Sequence, residues 1–128
     1  NKSNAYDFGF VESMITEISS QYNVDIDRIY AAGYLNGGMM TYGLSNYKSV
    51  LIAAVASVSG AMLECIGSNI HPMVVIHLHG TSDGVLPYNG SIDWNATQST
   101  LYHRINFSST VLTPTITSDN NIERHVYD

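Results

Sequence analysis

The stretch Ile29-Tyr30-Ala31-Ala32-Gly33-Tyr34-Leu35-Asn36-Gly37-Gly38-Met39-Met40 constrains the fold more than any other part of the chain. An apolar run enters a turn bracketed by glycines and leaves it in a helix-compatible sequence, which predicts a strand over 28–32 and a helix over about 37–47. The spacing of Gly33 and Gly37 is that of a nucleophile elbow, G-x-S-x-G. In such an elbow, small flanking residues let strand and helix approach closely, and a serine hydroxyl projects from a sharp turn at the top of a parallel sheet. Leu35 holds the serine position. Leucine cannot attack a carbonyl, and the backbone that such a turn imposes costs it on the order of 1–3 kcal/mol. Either the turn has relaxed or the chemistry has moved to another side chain.

The remaining pattern extends this unit into a layered domain. Asp7 is placed to cap a helix whose apolar positions Val11, Met14, Ile15, Ile18 and Tyr22 follow three-four spacing and predict one buried stripe. Residues 23–27 are turn-rich. The runs 51–59 and 73–79 are continuously apolar, as expected of strands buried on both faces of a parallel sheet, although the first is Ala-rich enough to begin as helix. A weakly amphipathic helix is expected over 92–107, through Trp94, Leu101, Tyr102 and Ile105, and a last strand over 121–127. Alternating helices and strands with right-handed crossovers predict a single α/β domain over 1–128, with a small parallel sheet of about four strands flanked by helices.

Composition excludes some partners. A net charge of -6 argues against a nucleic-acid backbone or an anionic membrane surface, both of which require clustered Lys and Arg, and favours a neutral substrate. No apolar run reaches the roughly 20 residues of a membrane span. Cys65 is the single cysteine and cannot form an internal disulfide; it reads as a buried thiol or as an intermolecular link. Asn89-Gly90-Ser91, Asn95-Ala96-Thr97 and Asn106-Phe107-Ser108 match the glycosylation acceptor pattern, which a chain so rich in Asn, Ser and Thr also produces by chance.

Four spaced motifs agree in order: Tyr22-Asn23-Val24-Asp25-Ile26-Asp27-Arg28-Ile29-Tyr30, Asn36-Gly37-Gly38-Met39-Met40, His77-Leu78-His79-Gly80-Thr81-Ser82-Asp83 and Val85-Leu86-Pro87-Tyr88. Together they resemble the family of polyhydroxybutyrate depolymerases and feruloyl or acetylxylan esterases. The resemblance runs from about Asp7 to Tyr88 and thins beyond Asn95. It implies an α/β-hydrolase fold, a small-molecule or polymeric ester as substrate, no cofactor, and secretion, which is common in the family. Family members are longer, so the chain resembles the middle of that fold, a truncated α/β-hydrolase core. The family's early oxyanion loop and late catalytic histidine have no counterpart in this sequence. Missing neighbours are expected to leave a strand edge that a second copy covers, as a homodimer or domain-swapped oligomer.

The candidate site residues follow from the resemblance and from sheet geometry. Asp83 matches the position of the family's triad acid, whose task is to orient an imidazole; its alternative role is to cap a turn. His77 and His79 lie two apart on one strand and share a face, but no third ligand follows at a matching spacing, so no metal is expected. His79 is the structural neighbour of Asp83 and a candidate imidazole. His125 lies nearest in sequence to where the family's catalytic histidine would follow and is a candidate general base; His103 and His71 are weaker.

Active sites of parallel sheets gather at the carboxyl ends of the strands. Ser59 is therefore the first choice for a relocated nucleophile, ahead of Ser57 and Ser82, with the Asn36 N–H as an oxyanion donor; strand-end serines otherwise satisfy backbone groups. Tyr34, Tyr42, Tyr88 and Trp94 are candidates for an aromatic wall against a phenolic acyl group, or are core. Two functions remain open. One is ester hydrolysis through an acyl-serine on a relocated serine, and the other is a non-hydrolysing remnant that binds a ligand or only assembles.

Overall fold

A computed structural model describes residues 6–62, 71–91, 97 and 111–127. In chain order these form α1 (Asp7–Gln21), β1 (Tyr30–Tyr34), α2 (Asn36–Tyr47), β2 (Ala54–Val58), β3 (Val74–Leu78), β4 (Thr115–Asp119) and β5 (Ile122–Val126). The first three strands make a parallel sheet in the order β1-β2-β3, with Tyr30, Ala54 and Val74 in one row and Tyr34, Val58 and Leu78 in the last. The architecture is α/β, as expected, and among the described residues the parallel sheet has three strands where about four are expected. The last expected strand exists as β5, and it pairs antiparallel with β4 in a separate hairpin. Its two-residue loop, Asn120-Asn121, turns through a left-handed Asn120 at φ 53°. Asparagine tolerates that region, and a short hairpin needs it to match strand twist. The expected helix over 92–107, with Trp94, and the positions of Cys65 and His103 lie outside the described residues.

One face of the parallel sheet is covered. Leu44 of α2, Ile52 and Val55 of β2 are buried together, and Phe8, Val11 and Ile15 of α1 pack against them with Ala31, Met40 and Val75. The buried stripe of α1 is thus Phe8, Val11 and Ile15, not the longer stripe expected, because Met14, Ile18 and Tyr22 remain exposed. A 15-residue helix is about 22 Å long and the five-residue strands beneath it about 17 Å, which leaves the last turn without a surface to cover. Asp7 is the first residue of α1 rather than its cap; Tyr6 takes the cap position without a side-chain bond. The Lys48 ammonium reaches Glu12 at 2.7 Å and the Phe8 ring meets Tyr47 at 5.5 Å, fastening α1 to the end of α2.

The other face is open among the described residues. Tyr30, Ala32 and Tyr34, with Val58, and with Val74, Ile76 and Leu78, present an apolar surface to solvent, so the expected burial of β2 and β3 on both sides is met on one side only. Beside the free edge of β1, a crevice of about 350 Å³ runs between α1 and α2, lined by Met14, Ile15, Ala32, Gly37 and Met40.

Candidate active site

The carboxyl ends of the three parallel strands bring Leu35, Ser59 and His79 into one further row. The Leu35 N–H donates to Val58 O at 3.0 Å and the Ser59 N–H to Leu78 O at 2.8 Å, which continues the register one step past the last paired residues. Leu35 sits at φ 51°, ψ −115° and Ser59 at φ 46°. The elbow has therefore not relaxed: its strained backbone is present with leucine in it, and the adjacent strand end is also left-handed. Helix α2 starts at once, with the Met39 N–H on Leu35 O at 2.9 Å.

The glycines divide the work differently from the motif's spacing. A Cβ on Gly33 would stand 2.2 Å from the carbonyl carbon of Gly37, so strand and helix meet there as expected. A Cβ on Gly37 would meet nothing within 4 Å, and the close approach of α2 to β2 is made instead by Gly38 against Gly60. Ser57 fills the space between those two, fully buried, and among the described residues its hydroxyl has no hydrogen-bond partner. Its burial removes it as a nucleophile that substrate can reach. Asn36 is exposed at the first position of α2, where N–H groups have no acceptor within the helix.

Asp83 is anchored in the loop after β3. Its Oδ1 accepts from the Val85 N–H at 2.8 Å and the Leu86 N–H at 3.0 Å, and its Oδ2 lies 3.6 Å from His79 Nε2. The Leu86 and Val85 N–H groups, then the Ser59 hydroxyl and His79, hold its carboxyl below the usual carboxylate range. Oδ1 thus caps the turn, the alternative role expected of Asp83, while Oδ2 faces His79. Ser59 is half-buried, and its hydroxyl is directed at this carboxylate rather than at an imidazole.

Behind Asp83 runs a chain of rings. The Tyr42 hydroxyl is 2.6 Å from His77 Nδ1, His77 Nε2 is 3.1 Å from His79 Nδ1, and His79 Nε2 is 2.7 Å from Leu86 O. Burial, and then the neighbouring His79, push His77 down to about 4. Both nitrogens of His79 are occupied, so it stands beside Asp83 as a strut and not as a free imidazole. The sequence places His77 and His79 on one face but gives no sign that Tyr42 bonds to them; of the two roles expected of Tyr42, aromatic wall or core, it takes the core.

The other expected residues are dispersed. Tyr88 adjoins the site, its ring edge-on to His79 at 5.8 Å. Tyr34 lies on the uncovered sheet face and is exposed. His125 is on the hairpin, exposed and bonded through Nε2 to Glu123. Ser82 and His71 are exposed, and Thr97 of the second glycosylation-pattern match is buried with its hydroxyl 3.3 Å from His79 Nδ1. Among the described residues no group of three or more His, Cys, Asp or Glu is placed to hold a metal ion.

The sequence has relatives. The chain is 35% identical over 82 residues to a bifunctional acetylxylan esterase/xylanase of Neocallimastix patriciarum, covering 64% of this chain and 12% of that protein. It is 30% identical over 86 residues to a probable feruloyl esterase C of Aspergillus clavatus, covering 67% and 32%, and 34% identical over 84 residues to a feruloyl esterase D of Neurospora crassa, covering 65% and 29%. These relatives are esterases by name. The chain spans a third or less of their length. No family model matches it. The esterase part of the resemblance thus rests on partial similarity to proteins named as carboxylic ester hydrolases.

Proposed function

We propose that this chain contributes the strand-end site of a carboxylic ester hydrolase of the feruloyl-esterase or polyhydroxybutyrate-depolymerase type. The observation that carries the reading is the intact elbow backbone at Leu35, set two strand ends from an anchored Asp83 in a chain similar to esterases. Ser59 is the proposed nucleophile: it ends the intervening strand, is half-buried, and adjoins Gly60, which touches the first turn of α2. Its Oγ forms the bond to the acyl carbon as its proton passes to an imidazole. The oxyanion is received by the Asn36 N–H, in a first turn whose dipole favours negative charge. Collapse of the adduct breaks the bond to the alkoxy oxygen, which leaves with that proton, and water repeats the sequence to release the acid. Asp83 Oδ2 is proposed to orient that imidazole; both nitrogens of His79 are committed, and His125, proposed for the role, must give up its bond to Glu123 on the hairpin to take it. Tyr88 and Trp94 are proposed to contact the acyl group.

The test is fluorophosphonate labelling with peptide mass mapping. One stoichiometric adduct on Ser59, lost in Ser59→Ala, supports the proposal; an adduct on another residue sinks the role of Ser59. No adduct on folded protein favours the second reading, a remnant that binds or assembles without hydrolysis. That reading draws on Leu35 in the elbow and on a Ser59 hydroxyl that faces a carboxylate.

A further inference from the structure

The ring chain behind Asp83 has a direction. The Leu86 carbonyl only accepts, so His79 Nε2, 2.7 Å away, carries a proton. A neutral His79 then offers Nδ1 as an acceptor, and His77 Nε2 donates to it at 3.1 Å, with the Thr97 hydroxyl as a second donor at 3.3 Å. His77 Nδ1 is left as an acceptor, and the Tyr42 hydroxyl donates to it at 2.6 Å. With both rings neutral they are Nε2–H tautomers, and along the line from Tyr42 to the Leu86 carbonyl each donor points toward the Asp83 loop. Turning either ring over would put carbon where nitrogen now bonds. The chain starts in α2, the helix that the elbow opens, passes through β3 and ends on the backbone of the loop that holds the carboxylate.

We propose that Tyr42 and His77 are positioning residues that act through His79. They hold its ring in the orientation whose Nε2–H grips the Leu86 carbonyl, and so keep the Val85 and Leu86 N–H groups on Asp83 Oδ1 while Oδ2 stays turned to the strand ends. The functional meaning rests on the role proposed above for Asp83; the geometry does not. The depressed basicity of His77 agrees with a relay that works in its neutral form. Carried by long-range contacts, 35 residues apart between Tyr42 and His77, the device ties the middle of α2 to the Asp83 loop.

The test needs no turnover. Imidazole nitrogens of ¹⁵N-labelled protein are read by long-range ¹H–¹⁵N correlation, together with hydrogen exchange at the Val85 and Leu86 amides. The wild type should show single Nε2–H tautomers at His77 and His79. His77→Leu removes the donor to His79, so its nitrogens should average between tautomers and the two amides should exchange about tenfold faster. His77→Gln keeps a side-chain N–H for His79 and should restore both signals. Tyr42→Phe removes one hydroxyl only and should make the His77 tautomer mixed, which keeps the proposal testable if His77→Leu does not fold. Tautomer averaging at His79 in the wild type overturns the proposal. So does equal behaviour of His77→Leu and His77→Gln, which would mean that ring packing and not the hydrogen bond matters. Inertness to fluorophosphonate leaves these readouts unchanged, so the hydrolase reading can fail independently.

Discussion

Replacing Leu35 by alanine and by glycine separates backbone strain from side-chain burial. Both variants lose the half-buried leucine side chain beyond Cβ, so that loss cancels in their comparison. They differ in the Cβ itself. At φ 51°, ψ −115° a Cβ costs on the order of 1–3 kcal/mol, which alanine retains and glycine removes. Glycine gives back about 0.4–1 kcal/mol through the greater freedom of its unfolded chain. The glycine variant should therefore be more stable than the alanine variant by about 1–2 kcal/mol, the reverse of the usual order inside helices and strands. For a chain of this size that is a melting difference of about 3–8 °C, measured by circular dichroism and checked by urea unfolding. An alanine variant as stable as the glycine variant would refute the claim that the elbow is strained.

Two further outcomes are expected. His77 binds a proton at 6.5 when unfolded but only near 4 when folded, so the unfolded state holds more protons between those values and stability falls as pH drops through that window. The loss from this group approaches about 3 kcal/mol and is complete only once pH has fallen through about 4. It should disappear from the pH dependence of urea unfolding in His77→Gln, and an unchanged slope there contradicts the assignment. Asp83, held low, adds a separate loss that sets in as pH falls through its ordinary 3.8. A second copy is proposed to pair with the edge of β1, the strand-edge pairing that the missing neighbours predict, and to cover the open sheet face with Tyr30, Tyr34, Val74, Ile76 and Leu78. Light scattering at micromolar concentration should return a dimer mass, and a monomer mass would dismiss that proposal.

The site was legible where it depended on local spacing. Gly33 and Leu35 announce a strand-turn-helix unit because strand and helix meet so closely at Gly33 that no Cβ fits there, and Leu35 keeps the elbow backbone that this approach implies, whereas Gly37 has room for a side chain. Asp83 follows a strand by four residues, which is enough to place it at a strand end and to suggest its turn bonds. The paired histidines were legible as a shared face, since side chains two apart on a strand point the same way.

What the sequence determined by itself is therefore the alternation of elements, the elbow, and which residues lie at strand ends. The tertiary structure decided the rest. Parallel register set Leu35, Ser59 and His79 in one row, drawing together residues far apart in the chain. Packing decided that Gly38 and not Gly37 meets β2, that α1 buries Phe8 and not Ile18, and that Tyr42 reaches His77. Pairing sent β5 to a hairpin instead of the parallel sheet. The physical reason is one of range. Periodicity and turn chemistry act over a few residues and are written in order along the chain, whereas register, close approach and burial depend on which surfaces meet.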